Sequence, residues 1–154
     1  MIALQTLTLP TEASTIALAH RMAPALRAGD VLMLAGPIGA GKSFFARALI
    51  RALLDNPAED VPSPSFTVVQ TYQAKDVEIW HCDLYRLTSA QEVFELGLDE
   101  AFTQAICLIE WPDRLGNLAP DDGLSLTFAA HPDHHTVTFS GPARWSEKLE
   151  HVFG

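Results

Sequence analysis

The chain has 154 residues, of which 48% are hydrophobic and 19% charged, and we expect residues 1–154 to form one globular domain rather than a disordered segment. Its 10 basic and 19 acidic side chains give a formal net charge of −9, which argues against tight, unaided binding to DNA or RNA. No run reaches the roughly 18 apolar residues of a membrane span, and the first residues lack a basic signal region, so we expect a cytoplasmic protein with no membrane partner.

Alternating apolar and polar residues predict a first strand at Leu4–Leu9. A helix is predicted next, with Thr11 as its N-cap, apolar residues at helical spacing through Leu26, and Gly29 after its end. The segment Asp30–Ala35 is almost continuously apolar, which is typical of a parallel strand buried between helix layers. This strand leads directly into a glycine-rich segment.

The segment Gly36–Ser43 matches G-x-x-x-x-G-K-[ST], the phosphate-binding P-loop pattern. Its glycines let backbone N–H groups turn inward and cradle phosphate oxygens without Cβ clashes. Lys42 brings positive charge to the β- and γ-phosphates, and Ser43 offers a hydroxyl to Mg²⁺. A helix predicted at Phe44–Leu54 points its N-terminal dipole at the same phosphates. The predicted nucleotide contacts along this segment are Gly36, Ile38, Gly39, Ala40, Gly41, Lys42, Ser43 and Phe44.

A long loop, Asp55–Ser65, is rich in proline, serine and acidic residues and places the Ser65 hydroxyl just before a predicted strand. In nucleotide switches a loop at this place in the chain orders around Mg²⁺ and the γ-phosphate. A solvated connector fits the composition equally well. Strands at Phe66–Gln73 and Val77–Asp83 are predicted to follow as a hairpin.

Two predicted strands end in a carboxylate. Asp83 ends the second strand of the hairpin, and Glu110 follows the apolar run that begins at Ala105, as in a Walker B element. Either side chain could hold Mg²⁺, directly or through water, or orient the attacking water, and the spacing leaves both assignments open. Cys82 and Cys107 lie inside the same strand patterns, which favours buried, reduced thiols over a disulfide or a metal site.

The rest of the chain predicts short helices and a second hairpin. Ser89 and Glu92 fit a capping box at the start of a short helix. The further predicted elements are a helical segment at 98–102, strands at 124–129 and 136–139, and a tail helix at 145–153. The hairpin turn, His131–His135, lacks the ligand spacing of a metal centre, so we interpret its histidines as turn residues.

These elements predict an α/β fold, namely a three-layer P-loop NTPase-like domain. We expect a mixed, mainly parallel sheet with helices on both faces and an antiparallel hairpin. The pattern does not fix the strand order or the residues that contact a base.

Four separated segments together resemble the bacterial TsaE (YjeE) family. They are Gly36–Ser43, Ser63–Phe66, His81–Arg86 and Leu108–Pro112. The His-x-Asp-Leu-Tyr-Arg and Glu-Trp elements are more specific than the P-loop and distinguish the chain from kinases and GTPases. The resemblance covers nearly the whole chain. It implies an ATP hydrolase of low intrinsic activity that serves threonylcarbamoyladenosine (t6A) synthesis in tRNA with the transferase subunit TsaD and its degenerate relative TsaB.

The resemblance also implies ATP or ADP and Mg²⁺ as cofactors, with tRNA contact made by the partners. By this analogy Lys42 and Ser43 act on the phosphates and the metal, and Ser65 lies in a switch-like loop. Asp83 and Glu110 serve the metal and the water, and Trp111 lies beside the site. The family usually has threonine where Ser43 and Ser65 stand, and Pro37 removes one N–H donor from the loop.

Two other functions fit a P-loop chain. A small-molecule kinase would need a mobile lid with basic residues, and the 10 Lys and Arg residues form no cluster in the sequence. A nucleotide-gated binding module without significant hydrolysis is not distinguished from an ATPase by the sequence. Arg86, beside Asp83, is a candidate for phosphate contact or for docking of a partner.

Overall fold

The computed structural model describes residues 2–153, and within them one mixed sheet has seven strands in the order β1-β7-β6-β2-β5-β4-β3. The strands are β1 (Ile2–Leu9), β2 (Val31–Ala35), β3 (Val69–Gln73), β4 (Glu78–Asp83), β5 (Ile106–Glu110), β6 (Leu124–Ala130) and β7 (His135–Gly141). The three central pairs, β6–β2, β2–β5 and β5–β4, are parallel, and the three outer pairs are antiparallel.

Helices cover both faces of this sheet. They are α1 (Glu12–Met22), α2 (Lys42–Leu54), α3 (Gln91–Leu96), α4 (Leu98–Gln104), α5 (Arg144–Lys148) and α6 (Glu150–Phe153), with 3₁₀ segments at Ala23–Ala25 and Pro112–Leu118. Along β2, Leu32 and Leu34 pack into a core with α1, α2, α5 and α6, while Val31 and Met33 pack into a second core with α3 and α4. Because alternate residues of a strand point to opposite faces, the two cores lie on opposite sides of the sheet, each between the sheet and a layer of helices. This is the predicted three-layer α/β fold.

The first helix confirms its predicted start and ends earlier than predicted. The Thr11 side chain accepts a hydrogen bond from the backbone N–H of Ser14, which completes a capping box. The α-helix stops at Met22, and the next turn, which contains Pro24, is 3₁₀. Proline lacks the N–H that would continue the i to i−4 pattern, so the regular helix does not extend to Leu26.

Two local predictions are wrong. The strand predicted from Phe66 begins at Val69, because Val68 has a left-handed backbone (φ 70°) that no strand accommodates. The capping box predicted from Ser89 does not form: helix α3 begins at Gln91, and the Glu92 carboxylate accepts a hydrogen bond from Thr88 Oγ1 at 3.1 Å instead.

The predicted tail helix consists of two short helices, because the backbone leaves helical geometry at Leu149 (φ −109°, ψ 20°). Within residues 2–153, no helix combines the length and the apolar character that crossing a membrane requires.

Candidate active site

The P-loop connects the end of β2 to the start of α2, and its backbone permits only glycine at the first position. Gly36 has φ +129°, and a Cβ built there would lie 2.4 Å from the carbonyl oxygen of Phe128 on β6. The loop therefore packs directly against the neighbouring parallel strand. Gly39 also has a positive φ (+85°), but a Cβ there would meet nothing within 4 Å. Close backbone packing thus fixes the root of the loop, while its tip is open.

The Lys42 side chain folds back over the loop. Its ammonium donates a hydrogen bond to the carbonyl oxygen of Gly36 at 2.7 Å and lies 3.6 Å from the centroid of the Trp111 ring. Burial lowers the pKa of Lys42, and the nearby carboxylates of Glu110 and Asp83 oppose that shift. The cation therefore contacts an aromatic face and a carbonyl, and it forms no direct ion pair among residues 2–153.

Trp111 has a left-handed backbone (φ 60°, ψ 54°) directly after β5. This conformation costs a non-glycine residue about 1–2 kcal/mol. Trp111 lies over Lys42, and its ring centroid is 5.0 Å from that of Tyr85. The strained backbone of Trp111 therefore occurs where its ring, together with that of Tyr85, lies beside the P-loop. The strand pattern alone does not predict this position of the Trp111 ring.

The hydroxyl of Ser43 and the carboxylate of Glu110 meet at the base of the site. Ser43 Oγ donates to Glu110 Oε1 at 2.8 Å, and the second carboxylate oxygen lies 2.7 Å from His81 Nε2. Burial alone would raise the pKa of Glu110, but the hydrogen bonds from His81 and Ser43 and the charge of Lys42 outweigh it and hold that pKa below its usual value. Glu110 is therefore ionised at neutral pH.

Asp83 lies beside Glu110, since the two residues pair in register at the ends of parallel strands β4 and β5. The backbone N–H of Tyr85 donates to Asp83 Oδ1 at 3.0 Å, and the Ser65 hydroxyl is 3.4 Å from Asp83 Oδ2. The two neighbouring carboxylates thus have different hydrogen-bond partners: Glu110 contacts the P-loop serine, and Asp83 contacts the loop that precedes β3.

A cleft of about 890 Å³ opens above these side chains, a volume within the range of nucleotide and small-molecule sites. Of the described residues predicted for the site, all but Gly36 and Ala40 line this cleft. Gly36 contributes its carbonyl to Lys42, and Ala40 is a fully buried residue of the loop. Arg86 also lines the cleft, and its guanidinium lies 4.6 Å from the centroid of the exposed Phe66 ring.

Sequence reasoning did not place two further segments that line the cleft. One is the junction of β1 and α1, residues 9–12, and the other is the turn His131–His135. They meet because β1 pairs with β7, which sets Leu9 opposite His135. Pairing between the first and last strands is long-range, so hydrophobic periodicity carries no signal for it.

The turn packs against the P-loop, because a Cβ on Gly41 would lie 3.3 Å from His135 Nδ1. Within the turn, the rings of His131 and His134 stack with centroids 4.6 Å apart. Among residues 2–153, no three His, Cys, Asp or Glu side chains converge into a group that could hold a metal ion.

Comparison with known proteins relates most of the chain to one family. Residues 9–137 match the model of the threonylcarbamoyl adenosine biosynthesis protein TsaE. The tRNA threonylcarbamoyladenosine biosynthesis protein TsaE of Rickettsia conorii is 40% identical over 111 residues, which are 72% of this chain and 63% of the relative. The chain therefore spans less than two thirds of that relative's length. The protein of the same name from Bacillus subtilis is 34% identical over 137 residues, or 88% of this chain and 84% of the relative.

The fold has a counterpart among solved structures. The crystal structure of Bacillus subtilis YdiB superimposes with a TM-score of 0.80 and 27% sequence identity, and the match covers 99% of this chain and 95% of that one. The similarity therefore includes the C-terminal residues beyond the family match.

Proposed function

Because the chain belongs to the TsaE family of tRNA threonylcarbamoyladenosine biosynthesis proteins, we propose that it serves that pathway as a Mg²⁺-dependent ATP hydrolase acting on the TsaD–TsaB complex. The observation that carries the proposal is the hydrogen bond of 2.8 Å between Ser43 and Glu110, at the base of a P-loop cleft that also holds Lys42. A phosphate cradle, a cation and a metal-ligand pair are the components of nucleoside triphosphate hydrolysis.

The residues present fit Mg²⁺, because hydroxyl and carboxylate oxygens are ligands that this ion prefers. Ser43 and Glu110 would hold the ion, and its positive charge would offset the negative charge that develops on the phosphates during hydrolysis. Lys42 would contact the same phosphates, and the N-terminus of α2 would add its dipole.

Asp83 is assigned to the attacking water. It is the second carboxylate at this sheet edge, and its Oδ2 faces the Ser65 hydroxyl rather than the P-loop serine. A water held by Asp83 and Ser65 would attack the γ-phosphorus. The bond from that phosphorus to the bridging oxygen would break and release ADP and inorganic phosphate.

The cleft beyond the P-loop is where we place the purine and ribose. It continues between residues 9–12 and the turn His131–His135, away from Asp83 and Glu110. A planar base would stack on the imidazole rings of this turn and contact the apolar edge of Leu9.

Partner dependence is supported by the rim of the cleft. Ile38 on the P-loop and Phe66 before β3 are 84% and 82% exposed, and Tyr85 is 54% exposed. Large apolar side chains exposed beside a site are typical of surfaces that a protein partner covers. Arg86 stacks on Phe66 in this surface, so docking there could redirect its guanidinium toward the phosphates.

The test measures Mg²⁺-dependent ATP turnover by this chain, alone and with TsaD and TsaB. We expect slow turnover alone and faster turnover with both partners. Lys42→Ala should weaken nucleotide binding at least about tenfold, the cost of one charge-assisted contact. Asp83→Asn should keep nucleotide binding and lose turnover. Binding without any turnover would favour a nucleotide-gated module, and phosphate transfer to a small acceptor would favour a kinase.

A further inference from the structure

His81 is the fully buried histidine of β4, and the proposed reaction assigns it no task. It pairs with Leu108 in the ladder between β4 and β5, so it shares a face of the sheet with Glu110, two residues further along β5. Its Nε2 lies 2.7 Å from Glu110 Oε2. Its Nδ1 is buried and has no hydrogen-bond partner among the described residues. Among the residues that the structure describes, Glu110 is therefore the one side chain to which the His81 ring is hydrogen-bonded.

The direction of this hydrogen bond follows from chemistry. An ionised carboxylate can only accept, so the proton of the hydrogen bond resides on His81 Nε2. Glu110 then accepts one hydrogen bond at each oxygen, from Ser43 at Oε1 and from His81 at Oε2. Because each carboxylate oxygen accepts a hydrogen bond from a fixed donor, the plane of the Glu110 carboxylate is held in one orientation. Glu110 is only 2% exposed, so solvent is poorly placed to replace either donor.

We propose that His81 is a positioning residue: it orients the carboxylate of Glu110 so that Oε1 and the Ser43 hydroxyl face a nucleotide-bound divalent cation together. The proposal rests on the proposed function, since it concerns the same cation. Groups behind a metal ligand commonly change metal affinity or activity about 10- to 100-fold when they are removed. His81 is fully buried and does not line the cleft, so metal-free nucleotide binding should not depend on it.

Three substitutions separate the hydrogen bond from the bulk of the ring. His81→Leu removes the donor and keeps an apolar side chain of similar volume. His81→Gln can place an amide N–H near the position of Nε2, whereas His81→Asn is too short to reach Glu110. Ile79→Val is the matched control, because Ile79 is equally buried and lies two residues away on the same face of β4.

The experiment titrates MgCl₂ into the full chain with ADP and reads the change in ADP affinity by calorimetry, beginning in EDTA. We expect all variants to bind ADP in EDTA as the unmodified chain does. The Mg²⁺ concentration that gives half of the affinity change should rise about 10- to 100-fold for His81→Leu and His81→Asn. It should stay near the unmodified value for His81→Gln and Ile79→Val. Circular dichroism checks folding, and if His81→Leu does not fold, the Gln and Asn pair carries the comparison.

Two results would overturn this inference while leaving the proposed function intact. In the first, His81→Leu and His81→Asn show the Mg²⁺ dependence of the unmodified chain. In the second, His81→Gln is as impaired as His81→Asn, so that ring shape rather than the donor matters. If the unmodified chain shows no effect of Mg²⁺ on ADP affinity and no ATP turnover, both the proposed function and the inference fail.

Discussion

The ammonium of Lys42 lies 3.6 Å from the centroid of the Trp111 ring, while it donates to the Gly36 carbonyl at 2.7 Å. A cation at this distance from an indole gains about 0.5–2 kcal/mol. Phosphate oxygens in the loop would compete for the same ammonium, with stronger charge-assisted hydrogen bonds. Nucleotide binding should therefore draw Lys42 away from Trp111.

This movement should be visible in tryptophan emission. The chain has three tryptophans, of which Trp145 is fully buried and Trp80 donates to Glu78 Oε1 at 2.6 Å, on β4. We expect ADP or ATP to change the emission of the unmodified chain and of Trp80→Phe, because the charge beside the indole of Trp111 moves. Trp111→Phe should bind nucleotide without that change. Nucleotide binding that leaves the emission of the unmodified chain and of Trp80→Phe unchanged would contradict the movement of Lys42 away from the Trp111 ring.

Two glycines of the loop, Gly36 and Gly39, should differ sharply when replaced by alanine. In Gly36→Ala the new Cβ meets the Phe128 carbonyl at 2.4 Å on an adjacent strand, so the loop root and β6 must separate. We expect a loss of several kcal/mol in the free energy of unfolding, or no folded protein. Gly39→Ala meets no atom within 4 Å and should cost only the strain of its positive φ, about 1–2 kcal/mol. Urea denaturation compares them, and equal losses would contradict the packing argument.

The sequence predicted the positions of motifs in the fold where their signals are local. The P-loop, the N-cap at Thr11 and the carboxylates that end β4 and β5 each depend on a few neighbouring residues. The mixed sheet with helices on both faces also followed from the order of the patterns. The hydrogen bond between Ser43 and Glu110 could not be predicted from the sequence. It depends on β2 lying next to β5, and hydrophobic periodicity does not encode which strands are neighbours.

The other features that the sequence did not predict also depend on contacts or conformations that local patterns do not encode. The turn His131–His135 lines the cleft because β7 pairs with β1, the pair of neighbouring strands that is farthest apart in the sequence. Val68 and Trp111 have left-handed backbones, a conformation that residue type does not predict for non-glycine residues. Local propensity therefore assigned Phe66 to a strand, although it precedes β3 and its side chain is exposed.

Stability away from the site should depend on Asp30, the buried acid just before β2. Its carboxylate accepts from the Arg27 N–H at 2.8 Å and pairs with Lys148 Nζ at 2.9 Å, which ties α5 to the sheet. Asp30→Ala removes these contacts and leaves Lys148 unpaired there, so we expect a loss of about 2–4 kcal/mol in the free energy of unfolding. Asp122→Ala is the control, since the exposed Asp122 carboxylate pairs only distantly, at 4.0 Å, with Arg144. Similar unfolding midpoints for the two variants would refute the assigned role of Asp30.

The buried thiol of Cys107 should make stability fall at alkaline pH. Burial raises its pKa to about 12, whereas the thiol of an unfolded chain ionises near 9.0. Below pH 9 both states keep the proton and the thiol's contribution to stability is complete. Between about pH 9 and 12 only the unfolded chain loses it, so the free energy of unfolding declines with rising pH.

Cys107→Ala isolates this contribution, because every other titrating group is common to both chains. Urea unfolding between pH 8 and 11 should show a shallower decline for the alanine variant, even if its stability at neutral pH is lower from the lost volume. Parallel declines in the two chains would mean that the thiol ionises in the folded state as readily as in the unfolded one. The same burial should protect Cys107 from alkylation in the folded protein, since the thiolate is the reactive form.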